Sequence, residues 1–371
     1  MPFSYHPHPL QRYWDIASAA VQADALAAAL ELGVPDALRD YATAHDTARR
    51  LGLQPAATAP LLDLLWSIDV LDRTEADGDM PHRYRVSEGA RRYLLADSAA
   101  FCADALLFRL RSLRGAGGRL GRQLRPEQGQ DVPRAPTGSD LDWAQAARVQ
   151  IGQEQRAVSV DAALHVMARV PEAAQTRRWL DLGGGPGWIG IALAKLWPDS
   201  QGVVFDGPAT AAVAGENIAR EQLSHRVRAV GGDIGGDIGG DAGGRTGDGA
   251  GGDAGGDRTR DSIGEGHDLV WCSSVLHFVP DVDAMLRRVL AALRPGGLFV
   301  CAHAEVGASR EQAAAVLPFY LPMMVLGRHV GAAGSGEAAL ERAGFQCLRR
   351  FASPEFPMAP LQVLVARRPN A

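Results

Sequence analysis

Residues 179–190, Trp-Leu-Asp-Leu-Gly-Gly-Gly-Pro-Gly-Trp-Ile-Gly, constrain the fold more than any other stretch of the chain. Trp179 to Leu182 is an apolar run of the length of a buried strand. Gly183–Gly187 is a tight turn, and Ile189 to Leu196 opens a helix. A strand that passes through glycines into a helix sets bare backbone N–H groups, at the positive helix end, against a ligand. Glycine is needed there because φ can be positive and because a Cβ would hold the ligand away.

The sequence after residue 177 supplies the rest of such a sheet. Strand patterns at 202–206, 227–230, 268–272, 298–302, 344–351 and 361–366 alternate with helical ones at 189–197, 209–220, 282–293 and 337–343. This predicts a doubly wound Rossmann-like α/β domain over residues 171–371. Residues 1–113 read differently. An Ala- and Leu-rich helix over 10–32 ends at Gly33, and short helices follow at 36–41 and 43–52. An apolar helix over 58–70 leads into a small hairpin from 71–73 and 83–86, and a helix starts at Ser87. Three helices and a hairpin make a winged-helix pattern. Residues 114–140 read as a loop and 141–170 as helix, so 114–170 form loop and linker helices. Residues 231–256 hold 14 glycines and five aspartates. This composition cannot build a core and is expected to be a disordered insertion over 231–260.

Composition excludes several classes. A net charge of −5 over 371 residues leaves no basic footprint for nucleic acid. No apolar run approaches the roughly 20 residues that span a bilayer. The N-terminus lacks a charged-then-apolar leader, so a cytoplasmic protein is expected. Cys102, Cys272, Cys301 and Cys347 lie far apart, and the histidines lack helical metal spacing, so no metal site is expected. The winged-helix pattern keeps a DNA-binding regulator as a minor alternative, although residues 43–52 contribute only two arginines and no basic face.

Gly185-Pro-Gly187-Trp-Ile-Gly190 matches the dinucleotide fingerprint, with Asp206 near the distance of a ribose-binding acid. Two features speak against a dinucleotide: three consecutive glycines followed by proline, and Asp181 just before the turn. An acid at the strand end suits a cationic ligand without phosphate. S-adenosylmethionine (SAM), with its sulfonium, ammonium and ribose diol, is one.

Six motifs recur in a familiar order: Asp181-Leu-Gly-Gly-Gly-Pro-Gly187, Phe205-Asp206-Gly-Pro208, Gly232-Asp233, Ser274-Val-Leu-His277-Phe-Val-Pro-Asp281, Leu293-Arg-Pro-Gly-Gly297 and Ala343-Gly-Phe345. Over most of its length the chain resembles the SAM-dependent O-methyltransferases of the plant caffeate and bacterial small-molecule type. The resemblance implies an N-terminal winged-helix domain that forms a homodimer, SAM as cofactor, and a small, aromatic acceptor. Gly183, Gly185 and Gly187 would then cradle the methionine part of SAM beside Asp181, and Asp206 would accept from the ribose hydroxyls. Asp233 and Ile234 would flank the adenine, with Asp237 or Asp241 as alternative registers. Ser273 stands where many relatives carry lysine near the cofactor.

His277 matches the family's general base. A phenol has a pKa of about 10, so a histidine within hydrogen-bond reach assists attack on the methyl group. The surroundings depart from the family pattern. Phe278-Val279 replaces an Asp-Trp pair, and His303, with Glu305 two residues on, stands where an orienting acid is usual. Leu326-Gly-Arg328-His329-Val330 replaces a later segment with an acid before an arginine and threonine. His277, His303 and Glu305 are the candidate catalytic set, and residues 101–165 and 316–330, including Phe108, Trp143, Phe319, Tyr320, Met323 and Met324, the expected acceptor lining. An enzyme of this fold that uses SAM without transferring methyl, in decarboxylation, hydroxylation or a pericyclic step, is the alternative.

Overall fold

The computed structural model describes residues 8–75, 80–125, 139–234 and 264–370. Contacts divide the chain into two compact units, Met1–Gly118 and Arg119–Ala371.

The first unit runs α1 (Gln11–Glu31), α2 (Val34–Ala37), β1 (Ala42–Thr43), α3 (Ala44–Leu51), α4 (Pro55–Ser67), β2 (Leu71–Arg73), β3 (Arg83–Val86), α5 (Glu88–Leu94) and the start of α6 (Ala103–Gln123). Gly33, with φ 71°, ends α1. Thr43 caps α3 by accepting from the Asp46 N–H. The strands form an antiparallel sheet in the order β1-β3-β2, packed around Leu38, Leu62, Leu65 and Val86. The winged-helix arrangement is therefore present. Two local expectations change. The helix expected over 36–41 is only the short α2, because Ala42 and Thr43 pair with Tyr84 and Arg83 on β3. The loop expected from residue 114 begins instead as the last turns of α6. Its glycines each cost about 1 kcal/mol relative to alanine in a helix, and ion pairs from Arg111 to Glu31 and Arg114 to Asp24 hold α6 along α1.

The second unit begins with α7 (Asp140–Arg148), α8 (Gln150–Glu154), a π-turn (Gln155–Ser159) and α9 (Val160–Ala168). Then come β4 (Arg178–Leu182), α10 (Trp188–Leu196), β5 (Gln201–Asp206), α11 (Pro208–Arg220), β6 (Val227–Gly231) and β7 (His267–Ser273). A 3-10 turn (Leu276–Phe278) precedes α12 (Val282–Ala292), β8 (Leu293–His303), β9 (Glu305–Val306), α13 (Arg310–Val325), β10 (Gly331–Ala332), α14 (Ser335–Arg342), β11 (Gln346–Ser353) and β12 (Leu361–Arg367). The seven-stranded sheet has the order β11-β12-β8-β7-β4-β5-β6. Strands β4 to β8 in it are parallel, and β12 and β11 close one edge antiparallel. The doubly wound sheet is as expected.

From β4 the chain steps outward to β5 and β6, then returns to place β7 on the other side of β4. Ligands of open α/β sheets bind at the carboxyl ends of strands on either side of such a reversal. One face of the sheet packs Trp179, Trp271 and Tyr320 into a core, the other Leu180, Leu182, Phe205 and Phe299. Trp179 needs Gly202 beneath it, since a Cβ there would lie 2.0 Å from the indole ring. β6 ends at Gly231, so the insertion expected over 231–260 starts on a strand residue. Beyond Ile234 it lies outside the described residues, as do Asp237 and Asp241. Among the described residues, no helix is long and apolar enough to cross a membrane.

Candidate active site

The glycine turn differs from the sequence expectation in one decisive respect: its N–H groups are not bare. Gly183 and Gly184 donate to the Phe205 carbonyl, Gly187 donates to Gly184, and Trp188 donates to Gln155 Oε1. Gly185 donates to Asp206 Oδ2 at 2.8 Å. Gly190, in the first turn of α10, donates to Asp181. The turn therefore has no N–H of residues 183–188 to spare for a phosphate. Gly183, Gly185 and Gly187 all have positive φ, at 70°, 58° and 81°, as their type predicts.

Two carboxyls flank this turn. Asp181 is 2% exposed at the end of β4, and its Oδ2 has no hydrogen-bond partner among the described residues. Gly184 passes directly over that oxygen, which a Cβ would approach to 2.7 Å. Burial, with Asp206 nearby, pushes the Asp181 carboxyl up to about 7. Asp206, at the end of β5, also accepts from the Gly207 N–H, and burial raises its pKa against the pull of its two N–H donors. A carboxylate has about four acceptor positions, so two remain on Asp206 for a diol. An orphaned acid under the turn and a half-used acid beside it fit a cofactor carrying positive charge and hydroxyls. They oppose a pyrophosphate. Gly232 donates to the Asp206 carbonyl, which places Asp233 and Ile234 just beyond the ends of β5 and β6, and Ser273 ends β7.

The braces of this turn carried no sequence signal. Gln155 bridges it, donating through Nε2 to the Gly184 carbonyl at 3.1 Å while its Oε1 accepts from Trp188. Asn217 donates to the Pro186 carbonyl, and Asp140 accepts from Ala209 at the start of α11. Each lies on a helix remote in sequence. Only the π-turn at Gln155, a feature concentrated at functional sites and invisible in composition, could have marked one of them.

The acceptor side is built from different material. His277 lies on the 3-10 turn after β7, 8% exposed. Its ring meets Tyr320 of α13 edge-on at 5.6 Å and Phe278 at 4.1 Å, and Trp143 of α7 meets Phe278 edge-on at 5.0 Å. Phe319 packs against Tyr320. His277 makes no hydrogen bond to any described residue. Burial, the Arg328 charge and His303 lower its pKa to about 4, so the ring is neutral. Arg328 follows Gly327 at the end of α13, donates to the Phe278 carbonyl at 3.3 Å and lies over the Phe278 ring.

His303 and Glu305 do not join His277 in a hydrogen-bonded set. His303 Nδ1 lies 3.7 Å from Cys301 Sγ and its Nε2 lies 3.4 Å from Glu305. Burial alone would lower the His303 pKa, but Cys301 and Glu305 hold it up at about 9. Glu305 accepts from Gly334 at 2.9 Å, Gly336 at 3.0 Å and Arg350 at 2.7 Å. These partners and His303 overcome its burial and hold its pKa down to about 2. Both Glu305 oxygens are thus taken up by partners other than His277. They pin the approach to α14, and neither turns to His277.

The N-terminal residues 14–96 match the O-methyltransferase dimerisation domain, and residues 153–349, more than half the chain, match a methyltransferase domain. The chain belongs to the SAM-dependent O-methyltransferase family with an N-terminal dimerisation domain. It is a SAM-dependent small-molecule methyltransferase, and S-adenosyl-L-methionine is its cofactor. It is 31% identical over 227 residues to the N,N-dimethyltransferase OxyT of Streptomyces rimosus, an alignment covering 59% of this chain and 62% of that one. It is 26% identical to the 3-hydroxy-5-methyl-1-naphthoate 3-O-methyltransferase of Streptomyces sahachiroi, across 76% of this chain and 74% of that one. The human N-acetylserotonin methyltransferase, solved with SAM, shares the fold across 99% of both chains, with a TM-score of 0.72 at 19% identity.

Proposed function

We propose that the enzyme transfers the methyl group of SAM to a hydroxyl of a small aromatic metabolite, as a homodimer. The observation that carries this reading is His277: an uncharged imidazole at the switch point, walled by Tyr320 and Phe278, with no hydrogen bond to a described residue. A neutral imidazole that lacks a partner is ready to accept the proton of an incoming hydroxyl. When bound, SAM supplies an electrophilic methyl and a neutral leaving thioether. The chain's residues position and deprotonate. Asp206 holds the ribose, Asp181 sets a negative charge beneath the turn, Asp233 and Ile234 flank the adenine, and Ser273 lies beside it at the end of β7. Dimerisation is supported by α1, where Tyr13, Trp14, Ile16 and Val21 are each more than half exposed. Such a row of exposed apolar side chains is expected at an interface. Methylation of an amine is the second reading, favoured by the resemblance to OxyT.

The test pairs isothermal calorimetry with product analysis. SAM and S-adenosylhomocysteine should both bind. With methyl-labelled SAM and a panel of matched hydroxy- and amino-naphthalenes, label should appear on oxygen. Label confined to nitrogen would replace the first reading with the second.

A further inference from the structure

Building on the hydroxyl reading above, we infer that Arg328 is the counter-cation of the acceptor, which binds as an oxyanion, so the natural acceptor carries an acidic phenol or enol.

The charges around His277 carry this inference. From the end of α13, Arg328 reaches the 3-10 turn, hydrogen-bonding the Phe278 carbonyl and covering the Phe278 ring at 5.4 Å. That ring lies 4.1 Å from His277, so the guanidinium and the imidazole both flank Phe278 on the same 3-10 turn. No carboxylate pairs with Arg328 among the described residues. From β8, on the other side, the second group acting on His277 is His303, held protonated by Cys301 and Glu305. His277 therefore meets positive charge from both elements packed near it and has no acid to stabilise an imidazolium. An imidazole so placed passes a proton on but does not keep it. His303 is already paired with Glu305, so Arg328 is the cation left for an anionic nucleophile at His277 to balance. An amine attacks as a neutral molecule and gains no ion pair.

The chemistry balances without a further reagent. The hydroxyl proton leaves through His277 to water as the acceptor settles beside Arg328. In the transfer an oxygen lone pair forms the new O–C bond while the C–S bond breaks and its electron pair stays on sulfur. Phenolate and sulfonium charges cancel, and no proton is released in that step.

The experiment uses 4-nitrophenol, whose anion is coloured, and 4-nitroaniline, which matches its shape but does not ionise. Both are titrated into the full-length enzyme saturated with S-adenosylhomocysteine, so no turnover occurs. The apparent pKa of bound 4-nitrophenol should fall by about 1–3, the effect of a cation within contact distance. Arg328→Gln should abolish that fall and weaken nitrophenol binding at least about tenfold, while nitroaniline binding stays within about twofold. Arg328→Lys, which keeps the charge, should retain most of the fall. Calorimetry with S-adenosylhomocysteine checks that each variant is folded. An unchanged pKa on binding, an equal shift in Arg328→Gln, or no binding of nitrophenol overturns the inference. Hydroxyl methylation that persists alongside such a result leaves the hydroxyl reading standing. Methylation of amines alone overturns that reading instead.

Discussion

His277 and His303 sit at the carboxyl ends of the neighbouring strands β7 and β8, at 8% and 6% exposure, yet their charge states are opposite. Burial lowers His277 to about 4, with nothing to oppose it, whereas Cys301 and Glu305 override burial and hold His303 at about 9. Equal burial thus produces a neutral ring and a cation, and the partners decide which. His303 belongs to a closed polar cluster whose members satisfy one another. His277 faces aromatic rings and a cation and makes no hydrogen bond to a described residue.

The largest effect that separates the two regions is kinetic. His277→Ala should lower turnover by about 10²–10⁴-fold, the usual contribution of a positioned proton acceptor. S-adenosylhomocysteine affinity and melting temperature should stay close to wild type. Steady-state rates alongside calorimetry measure both, and full turnover in this variant would remove His277 from the chemistry.

Next comes the stability of the cluster. Glu305→Ala leaves His303 and Arg350 without their shared carboxylate and should cost about 3–5 kcal/mol in urea unfolding, the range for breaking a buried pair. The pH dependence has a definite sign. His303 is raised from 6.5 to about 9, so its stabilisation is complete below 6.5 and is lost as pH rises through 9. Glu305 is lowered from 4.5 to about 2, so its share is complete above 4.5 and is lost as pH falls through 2. Wild type should therefore weaken between about pH 7 and about pH 9, and Glu305→Ala, which keeps only the Cys301 contact, should show a smaller loss. Parallel slopes for the two proteins would break the assignment of His303 as the cation.

The smallest effect concerns the cofactor side. The carboxyl of Asp181 is raised from 3.8 to about 7, so the cofactor-free protein gains most from this group below 3.8 and loses that gain as pH rises through 7. Bound SAM brings positive charge to the ionised acid. SAM should accordingly raise the melting temperature more at about pH 8 than at about pH 6. Asp181→Asn should equalise the two shifts, read by scanning calorimetry.

Much of the cofactor half was legible in the chain. Asp181, Gly183, Gly185 and Gly187 are neighbours in sequence, and Asp206 lies one crossover away, so a strand–turn–helix pattern brings them together by local geometry. The functional meaning of the turn was less legible. Its donors looked free, yet they are consumed by Phe205, Asp206 and Gln155. Gln155 and Asn217 reach it from helices that a linear pattern cannot align. On the acceptor side the grouping of the candidates was not legible. His303 and Glu305 looked like partners of His277 because they end the next strand. Alternation along β8 instead sets Cys301 and His303 together, and Gly336 of α14 packs against the His303 ring.

The sequence by itself determined the two-domain plan, the parallel sheet and the position of the cofactor turn, because periodicity and glycine chemistry act over a few residues. Only the tertiary structure decided the antiparallel edge of the sheet, the bracing of the turn and the charge of each buried histidine. Those depend on which side chains meet across the sheet, and a buried group takes its protonation from its neighbours in space.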